Sequence, residues 1–124
     1  MLAAFRKIQM AIGIDTSPMM VAEADDNVRI MRRRLHAPVE VYSSFAEAFD
    51  YSACSAGYCF NAFRSDSLGL VLRKIRHDRS GLPFRLCFLN ATPGHLAVFA
   101  DEKWRVGANG SAARMSFVVE HQIY

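Results

Sequence analysis

The spacing of apolar residues changes at Pro83, and this change constrains the fold more than any other feature of the chain. Before Pro83 the apolar residues recur at helical spacing, as in Leu68, Val71, Leu72 and Ile75. After it they alternate with other residues, as in the segment FRLCFLN that begins at Phe84. Such a switch predicts an α+β architecture, in which N-terminal helices are followed by a C-terminal antiparallel sheet of three or four strands.

Four helices are predicted before Pro83. They cover residues 2–12, 25–35 and 45–53, and a longer stretch that begins at Phe60 or at Ser67 and ends before Gly81. Ser44 with Glu47 three residues later is a capping-box pattern for the third helix. Residues 39–42 are a short β-prone stretch between the second and third helices. After Pro83 the predicted strands are FRLCFLN, HLAVFA, WRVGA and residues 115–119.

Length and composition predict one globular domain over residues 1–124. Apolar residues make up 52% of the chain and charged residues 22%, a balance that supports a core and excludes disorder. No stretch approaches the roughly 20 apolar residues of a membrane span, so no membrane partner is expected. The odd cysteine count, three, argues against a disulfide framework and predicts a reducing, cytoplasmic location.

The net charge of +3 is unevenly distributed along the chain. Residues 1–62 hold six Lys or Arg against seven Asp or Glu, whereas residues 63–124 hold nine against five. A basic C-terminal half permits an acidic partner without requiring one. The triplet Arg32–Arg34 is interpreted as a solvated helix face, because one triplet neutralises few phosphates, and a nucleic-acid partner is not expected.

Cysteine and histidine carry the strongest candidate chemistry. Cys59 stands where a glycine-containing loop is predicted to give way to a helix, a position that favours the nucleophilic thiolate. His95 follows a Thr-Pro-Gly turn and is predicted to open a strand, from which it can act as the base. Asn109 lies just past the next strand and could fix the tautomer of His95, as the third member of a triad does.

The segments GYCFNAF around Cys59, GHLAVF around His95 and KWRVGANG before Asn109 resemble the papain-like superfamily, and more closely its transglutaminase-like bacterial branch. The resemblance covers about residues 57–110. It implies a cysteine hydrolase or acyl transferase that acts on an amide or ester bond of a protein or peptide substrate. It also implies Cys59 as the nucleophile, His95 as the base and Asn109 as the residue that orients it.

Several alternatives stay open on the sequence alone. Cys54 is the rival nucleophile, and all three cysteines could be small buried hydrophobic residues. A zinc site from Cys54, Cys59 and Cys87 with a histidine lacks a second close ligand pair, so no metal or cofactor is expected. A non-catalytic binding module on the same fold is the alternative function, with the basic C-terminal half contacting an acidic protein or nucleic-acid partner. The oligomeric state is left open.

Overall fold

The chain forms two compact units, Met1–Phe49 and Asp50–Tyr124. The computed structural model describes residues 9–60, 63–108 and 116–121. In chain order the elements are β1 (Ala11–Asp15), α1 (Pro18–Met31), a 3₁₀ turn (Arg32–Arg34), β2 (Val39–Ser43), β3 (Ala56–Phe60), α2 (Ser65–Asp78), β4 (Phe84–Leu89), α3 (Pro93–Asp101), β5 (Arg105–Ala108) and β6 (Ser116–His121).

The first unit is a single β-α-β arrangement. Strands β1 and β2 pair in parallel, with Ala11 opposite Val39 and Asp15 opposite Ser43. Parallel neighbours need a long crossover connection, and α1 supplies it. Among the described residues of this unit, only Ala37 and Ala46 are buried apolar residues, and α1 buries none. In the part of this unit that the structure describes, strand pairing and the Ser17 cap therefore contribute more to stability than a hydrophobic core does.

The second unit is a four-stranded mixed sheet in the order β3-β4-β6-β5. Strands β3 and β4 run parallel and are connected by α2. Strand β6 is antiparallel to both of its neighbours, β4 and β5. The parallel pair again requires a helical crossover, so this unit begins with a second β-α-β arrangement.

A hydrophobic core lies in the second unit, on one face of β4. Phe84, Leu86 and Phe88 alternate along that strand and are buried, whereas Arg85 between them is exposed. The Phe88 ring meets the ring of Phe99 edge-on, with the centroids 5.6 Å apart. Other buried residues of this core come from α2 and from the segment that follows β4: Leu68, Val71, Leu72, Ile75, Ala91 and Trp104.

The predicted architecture of helices followed by a papain-like antiparallel sheet is wrong. Helices and strands alternate along the chain, and the pairs β1–β2 and β3–β4 are parallel. The segment HLAVFA, predicted as a strand, belongs to α3. The Thr92 side chain accepts a hydrogen bond from the backbone N–H of His95, and Pro93 suits the first turn of a helix. Because of these local signals, the apolar segment HLAVFA forms part of a helix and not a strand.

Two predicted helices are also replaced by other structure. Residues 11 and 12, predicted to end a helix over 2–12, belong to β1, and residues 2–8 of that helix lie outside the described ranges. Residues 46–49 form a turn, and the Ser44 hydroxyl bonds the carbonyl of Phe45 instead of capping a helix. Phe45 is 62% exposed, so no core contact drives helix formation there.

Several local predictions are confirmed. A helix ends before Gly81, and strands are found over Val39–Ser43, Phe84–Leu89, Arg105–Ala108 and Ser116–His121. The helix predicted over 25–35 exists but begins earlier, at Pro18. One domain over residues 1–124 remains a prediction. In the described ranges, no helix combines the length and the apolar content that crossing a membrane requires.

Candidate functional site

Cys59 lies inside a strand and not at the start of a helix. It belongs to β3, where its backbone position is opposite Phe88 of β4. Burial, with a smaller contribution from Cys87, raises the pKa of the Cys59 thiol to about 12. The thiol is therefore protonated at neutral pH, which is the opposite of the activation that a nucleophilic cysteine needs.

His95 lies in the first turn of α3 and not at the start of a strand. Its Nδ1 accepts a hydrogen bond from the backbone N–H of Thr92 at 3.0 Å, so the ring proton must be on Nε2. Nε2 then donates to the carbonyl of Phe63 at 2.6 Å. With only 4% of the residue exposed, the neutral ring is fully engaged in linking the loop after β3 to the loop after β4.

The remaining predicted residues are placed as follows. Asn109 lies outside the described residues, so the convergence of Cys59, His95 and Asn109 stays a prediction. Cys54 is half-buried in the loop before β3. Burial raises the pKa of Cys54, although nearby Arg79 opposes the rise. The described part of the chain brings no three His, Cys, Asp or Glu side chains together in a way that could hold a metal ion.

A polar turn, Asp15 to Pro18, follows strand β1 and leads into α1. The Asp15 Oδ1 atom accepts a hydrogen bond from the Ser17 backbone N–H at 2.8 Å. The Ser17 hydroxyl in turn accepts from the Met20 N–H at 3.3 Å and caps α1, and Pro18 occupies the first turn. These interactions fix the chain as it passes from strand to helix.

Asp15 is held in place by its backbone and leaves its carboxylate exposed. Its carbonyl oxygen accepts a hydrogen bond from the Ser44 N–H at 2.9 Å, which ties the carboxyl ends of β1 and β2 together. A carboxylate has about four acceptor positions, and the bond from Ser17 uses one of them. The group can therefore accept hydrogen bonds from a pair of neighbouring hydroxyls at the edge where parallel sheets bind ligands.

A sequence signal for this site exists. The apolar stretch AIGI is followed directly by an acid, and then by the helix-start pair Ser17–Pro18. A strand that runs into an acid and a capped helix is typical of a β-α unit. The helical spacing that predicts a helix over 2–12 includes the first residues of this stretch, and it therefore hides the strand that has Asp15 at its end.

Comparisons with known proteins bear on the fold. No protein-family model and no curated protein matches the chain. Among solved structures, the PH0226 protein from Pyrococcus horikoshii OT3 superposes with a TM-score of 0.64 at 12% identity, over 93% of this chain and 72% of the other. Two further matches are named for methyl transfer.

The magnesium protoporphyrin IX methyltransferase ChlM from Synechocystis PCC 6803, solved with bound SAH, matches with a TM-score of 0.57 at 12% identity. This match covers 90% of our chain and 62% of ChlM, so the chain spans less than two thirds of that enzyme. A candidate rRNA-methylase from Clostridium thermocellum gives a TM-score of 0.58 at 8% identity, over 91% of this chain and 73% of the other.

The chain shares its fold with a methyltransferase. This finding overturns the predicted membership of the papain-like superfamily and its transglutaminase-like branch. The assignment as a cysteine hydrolase or acyl transferase is wrong for the same reason. The resemblance rests on the order of three segments, around Cys59, around His95 and before Asn109. This order does not reveal that Cys59 lies in a strand or that the His95 segment is helical.

Proposed function

We propose that the chain binds S-adenosylmethionine, or its demethylated product S-adenosylhomocysteine, and acts in methyl transfer. The shared fold supports the choice of ligand, because ChlM was solved with SAH. The observation that carries the proposal is the exposed Asp15 carboxylate at the carboxyl end of a parallel strand. In nucleotide-binding β-α-β units, an acid at such a strand end accepts hydrogen bonds from ribose hydroxyls.

Asp15 fits the ribose part of this ligand. Its free acceptor positions suit a vicinal diol, and the hydrogen bond from Ser17 orients the carboxylate in advance. The turn from Asp15 to Pro18 contains no glycine, and the chain has no G-x-G-x-x-G pattern. We therefore assign to this turn only the recognition of the ribose. We assign it no contact with any other part of the ligand.

When bound, S-adenosylmethionine supplies an electrophilic methyl group on its sulfonium. Asp15 would hold the ribose and so fix the position of the nucleoside. In the second unit, the hydrogen bonds of His95 to Thr92 and Phe63 give the loops after β3 and β4 a fixed geometry. A positioning role for His95 fits its burial better than proton transfer does, because both ring nitrogens are occupied.

A cytoplasmic location forms part of the proposal. Its support is that Cys54, Cys59 and Cys87 are all free thiols, which is typical of a reducing compartment.

Calorimetric titration of the chain with S-adenosylhomocysteine tests ligand binding. We expect Asp15→Asn to weaken binding about 10- to 100-fold, because hydrogen bonds to a charged acceptor contribute about 1.5–3 kcal/mol. Asp26→Asn is the matched control, since Asp26 is also exposed but lies within α1. Equal affinities for Asp15→Asn and the native chain would remove the ribose assignment, and no heat at millimolar ligand would remove the proposal.

Methyl transfer itself is tested separately with S-adenosylmethionine labelled on the methyl group. The chain is incubated with RNA, protein and small-molecule fractions of a cell extract. We expect label in one fraction, with less label for Asp15→Asn and no change for Asp26→Asn. Ligand binding without transfer to any fraction would leave a nucleoside-binding domain and exclude the enzymatic part.

A further inference from the structure

Most basic side chains of α2 are neutralised within the second unit. Arg73 and Arg76 each approach a carboxylate oxygen of Glu102 at 3.5 Å. Lys74 Nζ lies 2.5 Å from Asp78 Oδ2. The lysine and arginine residues of α2 are therefore each paired with Glu102 or Asp78.

Arg79 is also committed to the interior of the second unit. Only 9% of the residue is exposed. Its guanidinium donates to the carbonyls of Ser52 and Pro83, both at 3.0 Å. Arg85 and Arg105 stand at register positions opposite Glu120 of β6. The basic C-terminal half is thus a weaker candidate for an anionic partner than its net charge suggests.

The opposite situation holds after α1 in the first unit. Arg29 pairs with Asp25 at 3.0 Å, one helical turn earlier. Arg32, Arg33 and Arg34 follow as a separate 3₁₀ turn and are all exposed. None of the three forms an ion pair with any residue in the described ranges. This basic turn, Arg32–Arg34, is a local concentration of unneutralised positive charge.

The geometry of the basic turn restricts the shape of its partner. A 3₁₀ helix has three residues per turn and rises about 2 Å per residue, so the three side chains radiate about 120° apart within a short length. A flat anionic membrane could meet only one or two of them at once.

We propose that the basic turn Arg32–Arg34 binds the phosphodiester backbone of single-stranded nucleic acid. A flexible strand can bend around the turn and place phosphates next to all three guanidiniums, which also stack on unpaired bases. The turn precedes β2, whereas Asp15 ends the parallel strand β1, so the two sites lie at opposite ends of the strand pair. This site is separate from the proposed ligand site and does not depend on it.

Fluorescence anisotropy with a labelled 20-nucleotide oligouridylate, without any S-adenosyl ligand, tests this proposal. Three phosphate contacts predict a slope of about −2 for log K against log salt, so binding should weaken about 16-fold between 50 and 200 mM salt. The triple variant Arg32→Gln, Arg33→Gln, Arg34→Gln should lose this binding and most of its salt dependence. Lysine at all three positions should keep the salt slope.

A charge-matched control separates a local site from net charge. Arg64, Lys103 and Arg105 are exposed in the second unit, and changing all three to Gln removes the same charge. The proposal predicts near-native oligouridylate binding for this control, with circular dichroism showing that each variant is folded. It is overturned if the native chain does not bind, or if the control loses as much affinity as the arginine variant. It is also overturned if vesicles with phosphatidylserine bind through the triplet while oligouridylate does not.

Discussion

The two units contain helices of equal length with very different surroundings. Both α1 and α2 have 14 residues and connect a pair of parallel strands. Helix α2 buries five residues, including Leu72 at 0% exposure, whereas α1 buries none. Ile30 of α1 is 81% exposed. As far as the described residues go, the same β-α-β connection is supported by a core in one unit and mainly by strand pairing and one helix cap in the other.

Among the tests of this contrast, removing a core side chain should give the largest change in the free energy of unfolding. Phe88 is fully buried in the second unit, so Phe88→Ala should lower the free energy of unfolding by about 3–5 kcal/mol. Phe45→Ala in the first unit should change it by less than about 0.5 kcal/mol, because Phe45 is 62% exposed. Urea denaturation measures both. Similar losses for the two variants would contradict the contrast between the units.

Thiol reactivity gives the next largest effect. Because burial raises the pKa of Cys59 to about 12, few of its thiols are ionised at pH 7. We expect iodoacetamide to label Cys59 about a hundredfold more slowly than a cysteine introduced at the exposed Phe45 position, after allowing for the higher nucleophilicity of a basic thiolate. Peptide mass spectrometry over time measures both rates. Faster labelling at Cys59 would restore a reactive role for this residue.

Arginines in the two units should respond differently to truncation. Arg79→Ala should lower the free energy of unfolding by about 2 kcal/mol, because it removes packing and the hydrogen bonds to Ser52 and Pro83. Arg33→Ala should change it by less than about 0.5 kcal/mol, since Arg33 is exposed. Thermal or urea unfolding gives the comparison. A loss of stability in Arg33→Ala would show that the basic turn has a structural role.

Removing the N-terminal caps of α1 and α3 tests how much the stability of each helix depends on its cap. Thr92→Ala and Ser17→Ala each remove one cap and should each cost about 1 kcal/mol. In α3 the loss should appear in global unfolding, because Phe99 ties that helix to the core. In α1 it should appear as local opening, with roughly fivefold faster amide exchange. Unchanged exchange in Ser17→Ala would show that α1 does not depend on this cap.

The smallest expected effect is a pH dependence in the second unit. Desolvation raises the pKa of Asp78, but hydrogen bonds from Lys74 and the Tyr51 N–H outweigh it and lower the pKa overall. A carboxylate with a lowered folded-state pKa stabilises the fold above its unfolded pKa of about 3.9. That stabilisation is lost as the pH falls through the lower, folded value.

The acid dependence of unfolding should therefore be shallower in Asp78→Asn below about pH 4. Asp25→Asn is the control from the first unit, because its partner Arg29 is on an exposed helix face and surface pairs contribute little. Urea midpoints between pH 2 and pH 6 measure both variants. The assignment fails if Asp25→Asn flattens the curve as much as Asp78→Asn does.

The sequence predicted a helix or strand correctly where its apolar residues follow a long and regular spacing. The stripe Leu68, Val71, Leu72 and Ile75 repeats at i, i+3, i+4 and i+7, and it forms α2. The alternation in FRLCFL forms β4, with one face fully buried. Both patterns are long enough to distinguish a helix from a strand without any knowledge of the partners.

Shorter apolar runs do not distinguish a helix from a strand. HLAVFA was predicted as a strand but belongs to α3, and the helix predicted over 2–12 overlaps β1 at Ala11 and Ile12, because short runs of three to five apolar residues fit either structure. The hydrogen-bonding signals around them, Thr92–Pro93 and Ser17–Pro18, identify the helix starts, although periodicity does not. The sequence did not predict the candidate site for the same reason, because Asp15 becomes a candidate ligand-binding residue only when it is known to end a strand.

The sequence by itself determined the core-facing residues of α2 and β4 and the position of most strands after Pro83, because side-chain periodicity is a local property. Only the tertiary structure decided that β3 and β4 run parallel and that β6 lies between β4 and β5. Alternation shows which face of a strand is buried, but it is the same for either direction of the neighbouring strand. The tertiary structure also decided which basic residues have acidic partners. Glu102 and Asp78 pair with basic residues of α2, whereas the turn Arg32–Arg34 has no described acidic partner.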